Sequence, residues 1–275
     1  MEYLTAAQQQ WTAFTARFPL ETKEPVWTPE NVPAVSVLFV FNRAANGTTS
    51  MEVDSLAAQA LLLFAGYPHI VKDCHEHDQS PSGQLPYLLT TKGKALAGRE
   101  IIDEVMDQIP GFGSHLKSTE KADSFAISSL AESKLHFGLL YDLWYSPQNS
   151  LKVAFPQYSH DRPWPLKEVL PRIRRWEQMD WMLKHHVTID KEEILDDVKV
   201  ALSAYAVQLD QKQYLFGSKP TLADATLFAY LHILLSTFNT AAGSHSHARD
   251  IIMRHDNLVQ YARRIWGSWF TERIE

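Results

Sequence analysis

The chain has a single cysteine and no long apolar run. Cys74 has no second cysteine to pair with, and no C-x-x-C motif exists, which excludes thioredoxin-type redox chemistry and is typical of a reducing compartment. The longest apolar stretches, Val35–Phe41 and Leu61–Ala65, are far shorter than the roughly twenty residues of a membrane-spanning helix. Met1–Leu20 does not resemble a secretory signal or a matrix-targeting presequence. We therefore expect a chain that is soluble or peripheral to a membrane.

An excess of positive charge is also missing. The formal net charge of the 275 residues is -6, so no general attraction to nucleic acid is expected. The 12 histidines are scattered, and no pair combines helical metal-binding spacing with a third ligand nearby. A solvated surface is the simplest interpretation of these histidines, and we expect neither a metal ion nor a cofactor.

The N-terminal half alternates between strand and helix patterns. Val35–Phe41 is a nearly uninterrupted apolar run, typical of a strand buried on both faces. An apolar stripe from Val53 to Phe64 predicts a helix ended by Gly66, and residues 69–71 predict a second strand. We assign residues 34–112 to this α/β domain, preceded by a polar arm over residues 1–33.

Helical periodicity dominates from Lys121 onward, so residues 121–272 are predicted to form an all-helical domain. A loop is expected over Ser146–Pro165. A helix over Leu166–His186 is then predicted from apolar residues that recur at three- and four-residue steps, namely Leu170, Ile173, Trp176, Met179 and Leu183.

A helix start is predicted at Thr221 and Asp224. The two residues form a capping box, in which the carboxylate reaches back to the Thr221 N–H. The residues that follow leave almost no polar face, which indicates a helix buried on all sides. Thr221 and Asp224 are therefore assigned a structural role.

Basic residues cluster between Arg172 and His186. Arg172, Arg174 and Arg175, with Lys184 and the two histidines that follow it, form a stripe that can meet an acidic partner or lipid headgroups. A solvated helix face, balanced by acidic residues between 192 and 197, is the alternative. Exposed tryptophans such as Trp164 would suit a permanent interface, although about half of the eight are expected in the core.

Two segments together resemble the glutathione-transferase fold. One is the capped, buried helix at Thr221, and the other is a G-x-L-P-x-L segment over residues 83–88. The resemblance implies an α/β thioredoxin-like N-terminal domain followed by an all-α C-terminal domain. It also implies that the peptide bond preceding Pro86 is cis.

The residues that a transferase needs are replaced. A hydroxyl or thiol is expected just after the first strand, where this chain has Asn42 and Arg43. The acidic-residue–serine pair that would open the third helix is replaced by Gly98 and Arg99, of which the arginine can still bind an anion. These differences predict that no catalytic residue is present.

Four segments resemble the metaxin family, and the resemblance extends over about residues 35–270. They read SPSGQLP at 80–86, RPWPL at 162–166 with RRWE at 174–177, YLFGSKPT at 214–221 with Asp224 and Ala225, and NLVQYARRI at 257–265. The Pro-Trp-Pro-Leu block is the most specific, because generic glutathione transferases lack it. The N-terminal arm and residues 146–160 depart from the family pattern and are candidate contact surfaces.

The resemblance implies a non-enzymatic, peripheral subunit of the second-metaxin type on the cytosolic face of the mitochondrial outer membrane. Metaxins belong to the sorting and assembly machinery that inserts β-barrel precursors. The implied partners are the barrel-forming subunit, a second metaxin-like subunit, and the C-terminal β-signal of precursors. The alternatives are an active glutathione transferase with an atypical site around Asn42 or Arg99, and a translation-complex scaffold of the same fold.

Overall fold

The structure is a computed structural model that describes residues 32–43, 47–75, 77–159, 163–185, 188–239 and 244–271. Almost all of the predicted N-terminal arm, residues 1–33, lies outside these ranges, as does His186. None of the helices in the described ranges is both long enough and apolar enough to cross a membrane.

A mixed four-stranded sheet forms the N-terminal domain. The strands are β1 (Ser36–Phe41), β2 (His69–Cys74), β3 (Tyr87–Leu89) and β4 (Ala95–Ala97), in the order β2-β1-β3-β4. β1 pairs in parallel with β2 and antiparallel with β3, and every residue of β1 is buried, as its apolar sequence predicts. The helices α1 (Val53–Ala65) and α2 (Arg99–Gln108) complete the domain.

Two local predictions in this domain have clear outcomes. The bond between Leu85 and Pro86 is cis, as the resemblance implied. The second strand is longer than predicted, because its pairing with β1 continues to the Phe41–Cys74 pair. Cys74 is thus the last residue of β2, and it is buried.

Seven helices form the C-terminal domain within the described ranges. They are α3 (118–145), α4 (147–159), α5 (Leu166–His185), α6 (Lys191–Leu209), α7 (Leu222–Ser236), α8 (His247–Ile252) and α9 (Asp256–Trp269). α3 contains two stretches of wider π turns, Ala131–Leu135 and Tyr141–Tyr145. Its Gly138 lies against α6, where a Cβ would come within 2.5 Å of Val198.

The predicted loop over residues 146–165 is wrong for most of its length, because 147–159 are helical. Its Pro, Asn and Ser residues resemble a turn, but proline is also favoured in the first turn of a helix, and Pro147 lies there. The Asn149 side chain then donates to the backbone oxygens of Asp142 and His245, at 2.7 Å each, and fixes the start of α4.

α7 is the central helix of the molecule and packs against α1, α3 and α9. Its first-turn residue Asp224 is fully buried and accepts four hydrogen bonds. They come from the Leu215 N–H at 2.8 Å, the Thr221 N–H at 2.8 Å, the Thr221 hydroxyl at 2.6 Å and the Tyr261 hydroxyl at 2.9 Å. The predicted capping box is present, and the same carboxylate also joins the preceding turn to α9.

Asp224→Ala should destabilise the protein strongly. The change leaves the buried N–H groups of Leu215 and Thr221 without acceptors, and each orphaned donor costs about 1–3 kcal/mol. Thr221→Ala, which removes only the hydroxyl at the cap, should cost about 0.5–2 kcal/mol.

The measurement is urea denaturation followed by circular dichroism. Asp256→Ala is the matched control, because Asp256 is an exposed aspartate in the first turn of α9. Equal stability of the Asp224→Ala and Asp256→Ala variants would contradict a central role for the Asp224 carboxylate.

The cleft between the two domains

A cavity of about 1160 Å³ lies between the sheet domain and the helical domain. The N-terminus of α1, the segment before Pro86 and the start of α2 line one side. Residues of α3, α4, α5 and α7 line the other. This cleft is where the fold brings the end of β1 next to the helical domain, so a site built on both domains would lie here.

The residues after β1 are held in structural contacts. The Asn42 amide donates to the Gln157 carbonyl at 3.2 Å, and its oxygen contacts the His75 imidazole. Arg43 makes a two-pronged bond to Asp73, with both N···O distances at 2.8 Å, and this bond holds the pKa of Asp73 below its usual value. Neither side chain offers the cleft a hydroxyl or a thiol.

Two carboxylates occupy the N-terminal end of α1. Glu52 is the N-cap residue and Asp54 lies in the first turn. A helix N-terminus attracts anions through its free N–H groups and its dipole. The protein atoms that surround Asp54 in the cleft, together with the charges of Glu52 and Glu132, raise its pKa to about 6, while the side chain itself stays in contact with solvent. An anionic ligand, such as a thiolate, would meet like charge at this end of the helix.

Arg174 crosses the cleft from α5 to α1. Its guanidinium lies 3.6 Å from Glu52 and 3.3 Å from Glu177, and 5.9 Å from the centre of the Tyr158 ring. Tyr158 in turn stacks on Phe41 at 4.8 Å. The end of β1, α4 and α5 are therefore connected through one aromatic and charged cluster.

The structure separates the three arginines that the sequence grouped as a stripe. Arg172 pairs with Glu168 at 2.9 Å on the exposed side, whereas the Arg175 Nε donates to the Trp144 carbonyl at 2.9 Å. Arg174 points into the cleft. At about 100° per residue, Arg174 lies roughly 160° from Arg172 and 100° from Arg175 around the helix, so closeness in sequence does not place all three on one face.

Trp164 and Arg99 are the remaining candidate residues. Trp164 precedes α5 and is 62% exposed. Arg99 opens α2 at the mouth of the cleft, where it makes an exposed ion pair with Asp103 at 3.2 Å. Its expected binding of an anion stays a prediction.

An exposed apolar line on α5 was missed by the sequence reasoning. Val169, Trp176 and Leu183 follow each other at intervals of seven residues, close to two helical turns, and so share one side of the helix. They are 45%, 68% and 52% exposed. The periodicity of residues 166–186 predicted the helix, but it did not indicate that Trp176 and Leu183 are exposed. Apolar periodicity identifies a face but not what covers it.

Asp54→Asn should stabilise the protein at pH 7.5 and have little effect at pH 4. A carboxyl whose pKa is raised from about 4 to about 6 contributes stability at low pH that is lost as the pH rises through 6. Asparagine resembles the protonated acid at every pH, so the variant keeps that stability. The measurement is the urea midpoint of variant and parent at both pH values. A difference in urea midpoint that does not change with pH would contradict the raised pKa of Asp54.

Comparisons with known proteins agree with the fold and the sequence motifs. A family profile described as "Outer mitochondrial membrane transport complex protein" matches residues 55–175. A second, described as "Glutathione S-transferase, C-terminal domain", matches residues 198–265.

Similar solved structures show the fold. The glutathione transferase GSTFuA3 from Phanerochaete chrysosporium superposes with a TM-score of 0.59 at 13% identity, covering 86% of this chain and 98% of that one. The beta-etherase LigF from Sphingobium sp. strain SYK-6 gives 0.53 at 17% identity, covering 84% and 94%. Together with the sheet and the helical domain described above, they establish a glutathione-transferase-like architecture.

Similar sequences show the family. The Metaxin-2 homolog of Caenorhabditis elegans is 30% identical over 185 residues, which cover 66% of this chain and 80% of that protein. Metaxin-1 of Macaca fascicularis is 28% identical over 232 residues, covering 82% and 72%. Human Metaxin-1 is 29% identical over the same length, which is 49% of that protein. The chain therefore belongs to the metaxin family, and its residues 55–175 carry the profile of an outer mitochondrial membrane transport complex protein.

Proposed function

We propose that this protein is a non-enzymatic, peripheral subunit of the mitochondrial outer-membrane sorting and assembly machinery. It faces the cytosol, docks on the barrel-forming subunit and on a second metaxin-like subunit, and helps to receive the C-terminal β-signal of β-barrel precursors. Membership of the metaxin family supports a place in a transport complex of the mitochondrial outer membrane. The observation that carries the docking role is the outer line of α5, defined by Val169, Trp176 and Leu183.

The outer line of α5 has the chemistry of an interface. Burying one large apolar side chain is worth about 1.5–3 kcal/mol, and tryptophan is enriched among the residues that dominate binding energy. A helix with only a solvated face would carry polar side chains at Val169, Trp176 and Leu183 instead. Arg172, beside the line and exposed, adds charge at the rim of the same surface.

The absence of enzymatic activity is supported by the cleft. The position after β1 is taken by Asn42 and Arg43, both engaged in structural hydrogen bonds. The N-terminus of α1 carries Glu52 and Asp54, which repel the thiolate that a transferase has to stabilise. The fold is thus kept while its charge pattern at the catalytic position is reversed.

The combined change Val169→Asp and Trp176→Ser should detach the protein from its complex. We expect recovery of the partner subunits from detergent-solubilised mitochondria to fall at least tenfold, which corresponds to about 1.4 kcal/mol of lost binding. Thermal unfolding should change little, because both side chains are exposed.

Val207→Asp is the matched control, since Val207 is a 79% exposed valine on a different helix, α6. Its partner recovery should equal that of the parent. If the α5 variant recovered its partners as well as the Val207→Asp variant does, the outer line of α5 would not be the docking surface.

The rival function, an active glutathione transferase, is tested by catalysis and retention. The protein should pass through glutathione-agarose and should not accelerate conjugation of glutathione to an aromatic electrophile, because Asn42 and Arg43 replace the hydroxyl or thiol after β1. Conjugation well above the uncatalysed rate, lost in Asn42→Ala or Arg99→Ala, would establish the rival instead.

A further inference from the structure

Negative charge on the floor of the cleft is not balanced by the protein itself. Four acidic side chains line the cavity, namely Glu52, Asp54, Glu132 and Glu177. Arg174 serves both Glu52 and Glu177, and His77 contacts Glu52 at 3.2 Å. Within the described part of the chain, Asp54 and Glu132 have no ion-pair partner, and Glu132 is close enough to Asp54 to disfavour its ionisation. Arg174 and His77 act on Asp54 only at longer range, so this pair of carboxylates has no cation in direct contact.

An unpartnered hydroxyl lies beside these carboxylates. Ser128 is only 7% exposed, lines the cavity, and its hydroxyl has no hydrogen-bond partner among the described residues. It precedes Glu132 by four residues on α3, so the two side chains are neighbours on one helical face. A buried hydroxyl without a partner costs free energy, and this one is placed to accept a hydrogen bond from a ligand.

The wall of the cleft is apolar and open. Leu166 and Ile173 of α5 are 44% and 47% exposed, and Phe125 of α3 is 66% exposed. Leu170 and Ile102 complete this wall. Leu166 and Ile173 are three and four residues from Val169, so the wall borders the outer line of α5 on the helix surface, although Val169 itself does not line the cavity.

We propose that the cleft binds an extended peptide segment that places a lysine side chain on Asp54, Glu132 and Ser128 and its neighbouring apolar side chains against the wall. The lysine ammonium has three donors, matching the three acceptors on the floor. The four-carbon stem packs against apolar surface while the charged end reaches the carboxylates. This inference goes beyond the proposed function and does not depend on the assembly to which the protein belongs.

A peptide fits the cleft better than a small amine or an anion. The cavity volume of about 1160 Å³ exceeds the roughly 300–1,000 Å³ of usual small-molecule pockets. A small amine would leave Phe125, Leu166 and Ile173 uncovered. An anionic ligand such as glutathione would meet the carboxylates of Asp54 and Glu132.

The test uses the full chain and three fluorescein-labelled heptapeptides that differ only at the centre. The central residue is lysine, norleucine or glutamate, with leucine and phenylalanine on either side. Binding is followed by fluorescence anisotropy at low salt. We expect the lysine peptide to bind at least tenfold more tightly than the norleucine peptide, and the glutamate peptide to bind most weakly.

Variants locate the binding site. The lysine preference is the ratio of the norleucine-peptide Kd to the lysine-peptide Kd. Asp54→Asn and Glu132→Gln, which preserve side-chain shape, should each reduce this ratio at least threefold, and Ser128→Ala should reduce it less. Asp107→Asn, on an exposed part of α2 outside the cleft, should leave the preference unchanged. Phe125→Ser should weaken the lysine and norleucine peptides by the same factor.

Equal binding of the three peptides, or no binding of the lysine peptide up to about 1 mM, would overturn the proposal. The proposal would also be overturned if the Asp54→Asn and Asp107→Asn variants had the same lysine preference, or if Phe125→Ser left every peptide affinity unchanged. The outcome is distinguishable from failure of the proposed function, because the outer line of α5 is tested by partner recovery and the cleft by peptide binding.

Discussion

The buried carboxylate of Asp224 is the contact on which the rest of the structure depends. It binds the Leu215 N–H, the Thr221 N–H and hydroxyl, and the Tyr261 hydroxyl, and so fixes the start of α7 against the preceding turn and α9. Burial raises the pKa of Asp224, and the hydrogen bonds oppose that effect. Since α7 packs directly on α1, this network also sets where the N-terminus of α1 lies and hence where the cleft floor is.

The glutathione-transferase-like fold carries negative charge at the start of α1 in this chain. The architecture is that of glutathione transferases, although the Phanerochaete chrysosporium enzyme is only 13% identical to this chain. In this chain the N-terminus of α1 carries Glu52 and Asp54, and a third carboxylate, Glu132, faces them from α3. Charge at the start of α1 can vary without loss of the fold, because the backbone that creates the cleft is specified by the distant Asp224 network and by the core.

The sequence predicted those features that depend on local chemistry. The capping box of Thr221 and Asp224 follows from spacing alone, and the buried strand β1 follows from its composition. The cis bond at Pro86 required the family resemblance. The helix over 147–159 was missed because its start is fixed by Asn149 bonding to residues on α3 and before α8, which local sequence does not reveal. The sequence grouped three arginines, but the structure places Arg172 on the exposed side, Arg174 in the cleft and Arg175 against the Trp144 carbonyl.

α5 combines two surfaces that an isolated protein would have little reason to keep. Its inner face leaves Leu166 and Ile173 open beside uncompensated carboxylates, while its outer line leaves Val169 and Trp176 in water. The chemistry of the two faces differs, because only the inner one lies next to acidic groups. A partner covering the outer line gains mainly apolar burial and binds with little dependence on salt, whereas a ligand of the inner face also needs a cation and binds more weakly as salt rises. The two surfaces adjoin, because Leu166 and Ile173 lie within about one helical turn of Val169, so a partner on the outer line and a chain in the cleft would be neighbours across α5.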